Sequence, residues 1–194
     1  MTKANLNAGS SGLYDRLMAS RSDFDSADRH VLACILAIGA EETDRPLTEA
    51  VGLDRPALAR LLDAVFPGAC DPDELIPAGA TVGEEEIEEP DFRALLLDGR
   101  ARGTEIEVWL AHMLVRRALR PEHLWRSLGL RERSELSDML HRHFPVLAAR
   151  NVRNMRWKKF FYREMCQAEG ILVCKSPICD ICADYGECFL TGED

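Results

Sequence analysis

Apolar residues return at every third or fourth position along most of the chain, the pattern of helices with one buried face. Leu13, Leu17 and Met18 share a face. A second helix, capped by Ser22 or Asp23 and reaching about Ile38, carries Phe24, Val31, Leu32, Ile35 and Leu36 as its core stripe. A short segment from Leu47 breaks at Gly52. A further helix then starts near Asp54 with Pro56 in its first turn and aligns Leu58, Leu61, Leu62 and Val65 ahead of Pro67. That pair has the outline of a helix-turn-helix, but its second helix offers only Arg55 and Arg60 against Asp54 and Asp63, a poor surface for DNA phosphates.

The second half repeats the pattern. A short helix is expected around Phe92 to Leu97, Thr104 and Glu107 form a capping box for a helix to Leu119, and Pro121 opens another that ends at Gly129. Leu136, Met139, Leu140 and Phe144 before Pro145 repeat Leu58, Leu61, Leu62 and Phe66 before Pro67 at an offset of 78 residues. Leu32-Ala33-Cys34-Ile35-Leu36 matches Leu110-Ala111-His112-Met113-Leu114 at the same offset, and Gly52-Leu53 matches Gly129-Leu130 at 77. A last helix is expected over 151–168, with Gly170 to end it. The expected fold is therefore all-α: a helical bundle from a duplicated helical unit, with an irregular C-terminal cysteine-rich metal-binding loop. Its parts are a disordered N-terminus over 1–12, a helical domain over 13–170 with related units at 24–67 and 104–145 joined by an acidic connector at 68–90, and a cluster-binding segment at 171–194.

Composition narrows the setting. With 194 residues, 46% apolar and 29% charged, the chain can build a core without staples. Its longest apolar run, 31–40, is half of the roughly 20 residues a bilayer requires, and no secretory leader is visible. A cytoplasmic protein that neither spans nor binds a membrane is expected. The net charge of −9 is polarised: residues 1–90 hold 7 basic and 18 acidic side chains, whereas 116–163 hold 13 basic and 4 acidic. The basic stretch could meet an anionic partner or cofactor. Nucleic acid is not expected, because the whole is acidic and no zinc-finger or RNA-recognition signature accompanies the patch. No Ser/His/Asp, Cys/His or phosphate-loop motif appears, so no catalytic residue is assigned. The sequence sets no oligomeric state.

Four of the seven cysteines fall in one short stretch, CKSPICDICADYGEC, as Cys174, Cys179, Cys182 and Cys188 with CX4CX2CX5C spacing. In a reducing compartment such clustered thiols are metal ligands more often than disulfides. Structural zinc usually takes two separated CX2C knuckles, and only one CX2C pair is present here. A polynuclear iron-sulfur centre fits the single compact donor set better. A four-iron cluster with four thiolates carries about −2 overall and benefits from nearby cations. The preceding helix supplies Arg150, Arg153, Arg156, Lys158, Lys159 and Arg163 among Trp157, Phe160, Phe161 and Tyr162. Cys166 is a candidate fifth ligand or transient acceptor, Lys158 and Lys159 are candidate accessory cations, and Cys34 and Cys70 read as structural.

Residues 123–189 resemble the NifQ family of nitrogen-fixation proteins. The likeness joins His123-Leu124-Trp125, Leu128-Gly129-Leu130, Phe144-Pro145, Asn151, the run MRWKKFF from Met155 to Phe161, and the full cysteine set. The resemblance implies a molybdenum donor, not a turnover enzyme, for biosynthesis of the nitrogenase iron-molybdenum cofactor. It also implies a 4Fe-4S or molybdenum-iron-sulfur cluster on Cys174, Cys179, Cys182 and Cys188, with His123 as a candidate accessory residue. Implied partners are nitrogenase cofactor-assembly proteins and molybdate or another molybdenum source. Two other readings of the residues are a redox iron-sulfur electron carrier and a zinc-stabilised helical interaction module.

Overall fold

The computed structural model describes residues 8–168. Among them every regular element is a helix: α1 (Ala8–Ala19), α2 (Ser26–Ala40), α3 (Leu47–Val51), α4 (Arg55–Val65), α5 (Pro72–Leu75), α6 (Glu89–Asp98), α7 (Glu105–Ala118), α8 (Leu124–Ser127), α9 (Arg133–His143), α10 (Pro145–Ala148) and α11 (Trp157–Ala168). They fall into two compact units, Met1–Glu84 with Leu128–Leu130, and Glu85–Ser127 with Arg131–Asp194. None of the described helices is long and apolar enough to cross a membrane.

In the first unit α2 is the central helix, buried at Val31, Leu32, Ala33, Ile35, Leu36 and Ala37. It begins later than its hydrophobic spacing suggests. Asp25, not Ser22 or Asp23, accepts the Ala27 and Asp28 N–H groups at 2.9 and 3.2 Å. Ser22 instead accepts the Phe24 N–H at 3.2 Å, and Phe24 is left exposed outside the helix. Arg29 ties α1 to α2: its guanidinium donates to the Leu17 and Ser20 carbonyls at 3.1 and 2.6 Å, satisfying the open end of α1, and lies 5.6 Å from the Phe66 ring centroid. The Pro/Gly-rich chain after α4 is anchored. Ile76 is fully buried, Arg55 pairs with Asp73 and donates to the Ile76 carbonyl at 2.5 Å, and Thr48 donates to the Thr81 carbonyl at 2.6 Å. Gly129 sits in this unit with φ +72°, and a Cβ there would lie 2.8 Å from the Cys34 carbonyl oxygen.

In the second unit α7 takes the central place, burying Trp109, Leu110, Met113, Leu114 and Val115. The expected capping box forms, with the Thr104 N–H donating to Glu107 at 2.8 Å and the Arg102 N–H to its other oxygen at 3.0 Å. The buried carboxylate of Glu107 is thus satisfied by backbone. Glu89 and Arg116 form a buried ion pair at 3.2 Å, and the Glu86 N–H also donates to Glu89 at 3.0 Å. Burial pushes the Glu89 carboxyl above its ordinary range, while the Glu86 N–H and the Arg116 charge pull it back. The segment opened by Pro121 is helical only over Leu124–Ser127, where the Arg117 guanidinium donates to the Ser127 carbonyl at 2.5 Å and Ser127 Oγ donates to the Arg117 carbonyl at 2.9 Å. An offset of 78 carries the bounds of α4 onto those of α9. Both helices end on a phenylalanine before proline with nearly the same backbone angles, φ −130° and ψ 54° at Phe66, φ −133° and ψ 52° at Phe144.

One part of the expected fold is corrected. The described residues form an all-α body, and the irregular cysteine-rich metal-binding loop is not an element of it. No group of three or more His, Cys, Asp or Glu among the described residues could hold a metal ion. The described cysteines are scattered, with Cys34 on α2, Cys70 after α4 and Cys166 on α11, because each occupies its own helix or turn and none is linked to another by a short run of chain. Cys174, Cys179, Cys182 and Cys188 lie outside the described residues.

Two outcomes follow for stability, measured from denaturant midpoints. Gly129→Ala costs about 2 kcal/mol or more, since the left-handed penalty adds to a clash with a carbonyl, whereas Gly103→Ala, with φ +70° and open space, costs only about 1 kcal/mol. Glu89→Ala costs about 3–5 kcal/mol by removing the carboxylate of a buried ion pair, and the double change Glu89→Leu with Arg116→Met costs much less.

Candidate functional site

The basic stretch is organised by α11 and the turn that leads into it. Helical spacing suggests one helix from 151 onward, but the helix starts only at Trp157. Asn151 explains the delay: its Oδ1 accepts the Met155 N–H at 2.7 Å and its Nδ2 donates to the Met155 carbonyl at 2.8 Å, closing residues 151–155 into a turn. Within it Asn154 adopts φ +52°, left-handed and the one such non-glycine among the described residues. Arg133 of α9 clamps the same turn, donating to the Asn154 and Met155 carbonyls at 2.8 Å each. Burial, with the charge of Arg156 second, lowers the Arg133 pKa from its ordinary value.

An aromatic cluster seats α11. Phe161 lies 5.0 Å from Phe92 of α6, centroid to centroid, Tyr162 lies 6.0 Å from it, and Trp157 stacks on Phe161 at 5.7 Å. Trp157 Nε1 donates to Ser137 Oγ on α9 at 3.0 Å, and the Tyr162 hydroxyl donates to Glu88 at 3.3 Å. These aromatics, read from sequence as a stretch interleaved with cations, are core: Trp157, Phe160, Phe161 and Tyr162 are all buried.

With α11 held this way, the cations go to two places. Lys158 donates to the Arg120 and Glu122 carbonyls, so its ammonium holds the chain beside His123. His123 is half-buried, and its carbonyl accepts the Arg126 and Ser127 N–H groups at 2.9 and 3.0 Å. Lys159, Arg163 and Cys166 follow one another at i, i+4 and i+7 along α11 and are each half-buried, which places them on one helical stripe. Beside this stripe, and sharing Arg163 with it, an open cleft of about 200 Å³ is lined by Arg150, Asn151, Val152, Arg153 and Met155 from the turn and by Phe160, Arg163, Glu164 and Gln167 from α11. Arg150 pairs with Glu164 at 3.1 Å.

The structure thus brings Lys158 to the His123 segment and sets Lys159 in line with Cys166, while the four clustered cysteines lie outside the described residues. The grouping of Arg150, Arg153 and Arg163 around one cleft is not readable from helical spacing, because it depends on the turn at Asn154. The two asparagines at 151 and 154, bracketing a would-be helix start, are the local signal for it.

Comparison with known proteins places the chain. The NifQ family model matches residues 31–190. A NifQ homolog from Sinorhizobium fredii (strain NBRC 101917 / NGR234) is 43% identical over 176 residues, covering 86% of this chain and 73% of that protein. NifQ of Azotobacter vinelandii is 40% identical over 151 residues, 72% of this chain and 76% of its own length. NifQ of Rhodobacter capsulatus is 40% identical over 161 residues, 81% and 87% respectively. No solved structure matches. With most of its length matched by the family model and by relatives aligned over nearly three quarters or more of their own chains, the protein belongs to the NifQ family.

Proposed function

We propose that Cys174, Cys179, Cys182 and Cys188 hold the iron-sulfur core through which this NifQ protein donates molybdenum for biosynthesis of the nitrogenase iron-molybdenum cofactor. It is a metal-trafficking protein and not an enzyme, as its family membership entails. The observation that carries the ligand set is that all four thiols fall inside the matched residues 31–190 at CX4CX2CX5C spacing, a soft donor set suited to a cluster. Bound there, the cluster would present molybdenum in a sulfur-rich setting. A reducing cytoplasm keeps such thiols available, and the acceptors are proteins of nitrogenase cofactor assembly, with molybdate as the source.

The chain's own residues supply the rest. An anionic cluster of about −2 is favoured by neighbouring cations, and α11 carries Lys159 and Arg163 on the stripe that ends at Cys166. In this reading Cys166, as a fifth ligand or a transient acceptor, and His123 are accessory residues to the four thiols.

Single Cys→Ala changes at 174, 179, 182 and 188 are expected to abolish iron, sulfide and molybdenum binding in anaerobically purified protein, measured by elemental analysis and visible spectroscopy. Unchanged metal content for any one removes it from the ligand set. Brown protein without molybdenum would favour an electron carrier, and colourless protein with stoichiometric zinc an interaction module. Lys159→Ala is expected to slow molybdenum donation with metal content unchanged. Lys158→Ala also lowers stability, by about 1.5 kcal/mol, because its ammonium holds two backbone carbonyls. Metal loss in Lys159→Ala would end its accessory role.

A further inference from the structure

The cleft beside α11 has the chemistry of a small-anion site. Three guanidinium groups, Arg150, Arg153 and Arg163, line it together with one carboxylate, Glu164, which pairs with Arg150 at 3.1 Å. The lining therefore carries a net charge of two positive units. Arg153 and Arg163 form no ion pair with a carboxylate among the described residues, and both line the cleft. At about 200 Å³ the cleft lies below the roughly 300–1,000 Å³ of sites for drug-sized molecules, which points to a compact ligand.

The cleft is also held in shape. Arg153 stands on the turn closed by the Asn151 amide and clamped by Arg133, and the left-handed Asn154 next to it is a backbone conformation that surrounding contacts must maintain. Arg163 stands on α11, which the aromatic cluster seats. The two arginines line one cleft from separate elements. Such an arrangement loses little conformational freedom when an anion binds, and planar guanidinium forks donate pairwise to the oxygens of a tetrahedral anion.

We infer that this cleft binds molybdate, as a tetrahedral dianion held by Arg153 and Arg163, with Arg150 paired to Glu164 at its edge. The choice of molybdate among tetrahedral dianions rests on the molybdenum-donor reading above; the cleft's charge and size select the class. Gln167 lines the cleft, and Cys174 follows it by seven residues, so at most about 25 Å of chain separates the site from the first of the proposed ligand thiols. Molybdate would be gathered within reach of the centre that later carries its metal.

The test is equilibrium dialysis of the full-length protein, stripped of metal, against sodium molybdate, with molybdenum counted by mass spectrometry. One saturable molybdate per chain is expected. The double change Arg153→Gln with Arg163→Gln should weaken binding at least tenfold while circular dichroism stays unchanged. The Lys pair, keeping charge but not the fork, should fall between. Sulfate should compete and chloride should not at equal ionic strength. Wild-type binding that is absent or unsaturable overturns the inference. So does undiminished affinity in the Gln pair, or tighter binding of sulfate or phosphate than of molybdate. Loss of binding in Cys174→Ala, with the Gln pair unaffected, would place the anion on the thiols and overturn the cleft. A protein that never takes up iron and sulfide but binds molybdate through these arginines would refute the cluster reading and leave this one standing.

Discussion

The seating of α11 on α6 and α9 is the contact on which the described chemistry of this protein depends. Phe92, Phe161 and Tyr162 meet across α6 and α11, and Trp157 adds a stacked ring and a hydrogen bond to Ser137 of α9. Large rings buried together contribute several kcal/mol of area-dependent stabilisation and fix helix rotation at the same time. Rotation is what matters here. Once these rings point inward, Lys158 must face the Arg120 and Glu122 carbonyls, Lys159 and Cys166 share a stripe, and Arg163 turns into the cleft.

The charges in this unit divide by what surrounds them. Glu89, Arg116, Glu107 and Arg117 are buried, and each has backbone or ionic partners within the second unit. Removing one partner from such a site costs far more than the pair contributes, so these groups are structural. Arg153, by contrast, is exposed, and Arg163 half-buried at the rim of a cleft, where desolvation is slight and an anion can reach them. The same residue type serves two purposes, and burial decides which.

Much of this was legible from residue order. Helix identity followed from apolar spacing, and the stops at Gly52, Pro67 and Pro145 and the Thr104–Glu107 cap followed from local stereochemistry that needs no distant partner. The shared ends of α4 and α9 at Phe66 and Phe144 follow likewise, since a residue before proline is driven out of the helical region whatever lies around it. Misreadings came where two local options competed. Asp25 displaced Ser22 and Asp23 as cap of α2, and Asn151 and Asn154 replaced the first turn of α11, because side-chain bonds to nearby backbone outweighed helical propensity there.

By itself the sequence determined the family, through a run of motifs ending in four thiols at fixed spacing, and it determined the helical class, through periodicity. Donor chemistry is a property of residue type and short spacing, so it survives without coordinates. Tertiary structure alone decided which cations are engaged and which are presented. Lys158 and Arg163 are five residues apart on one helix and look alike in the sequence, yet one is bound to carbonyls and the other lines a cleft. That difference arises from packing between elements distant along the chain, and no local pattern encodes it.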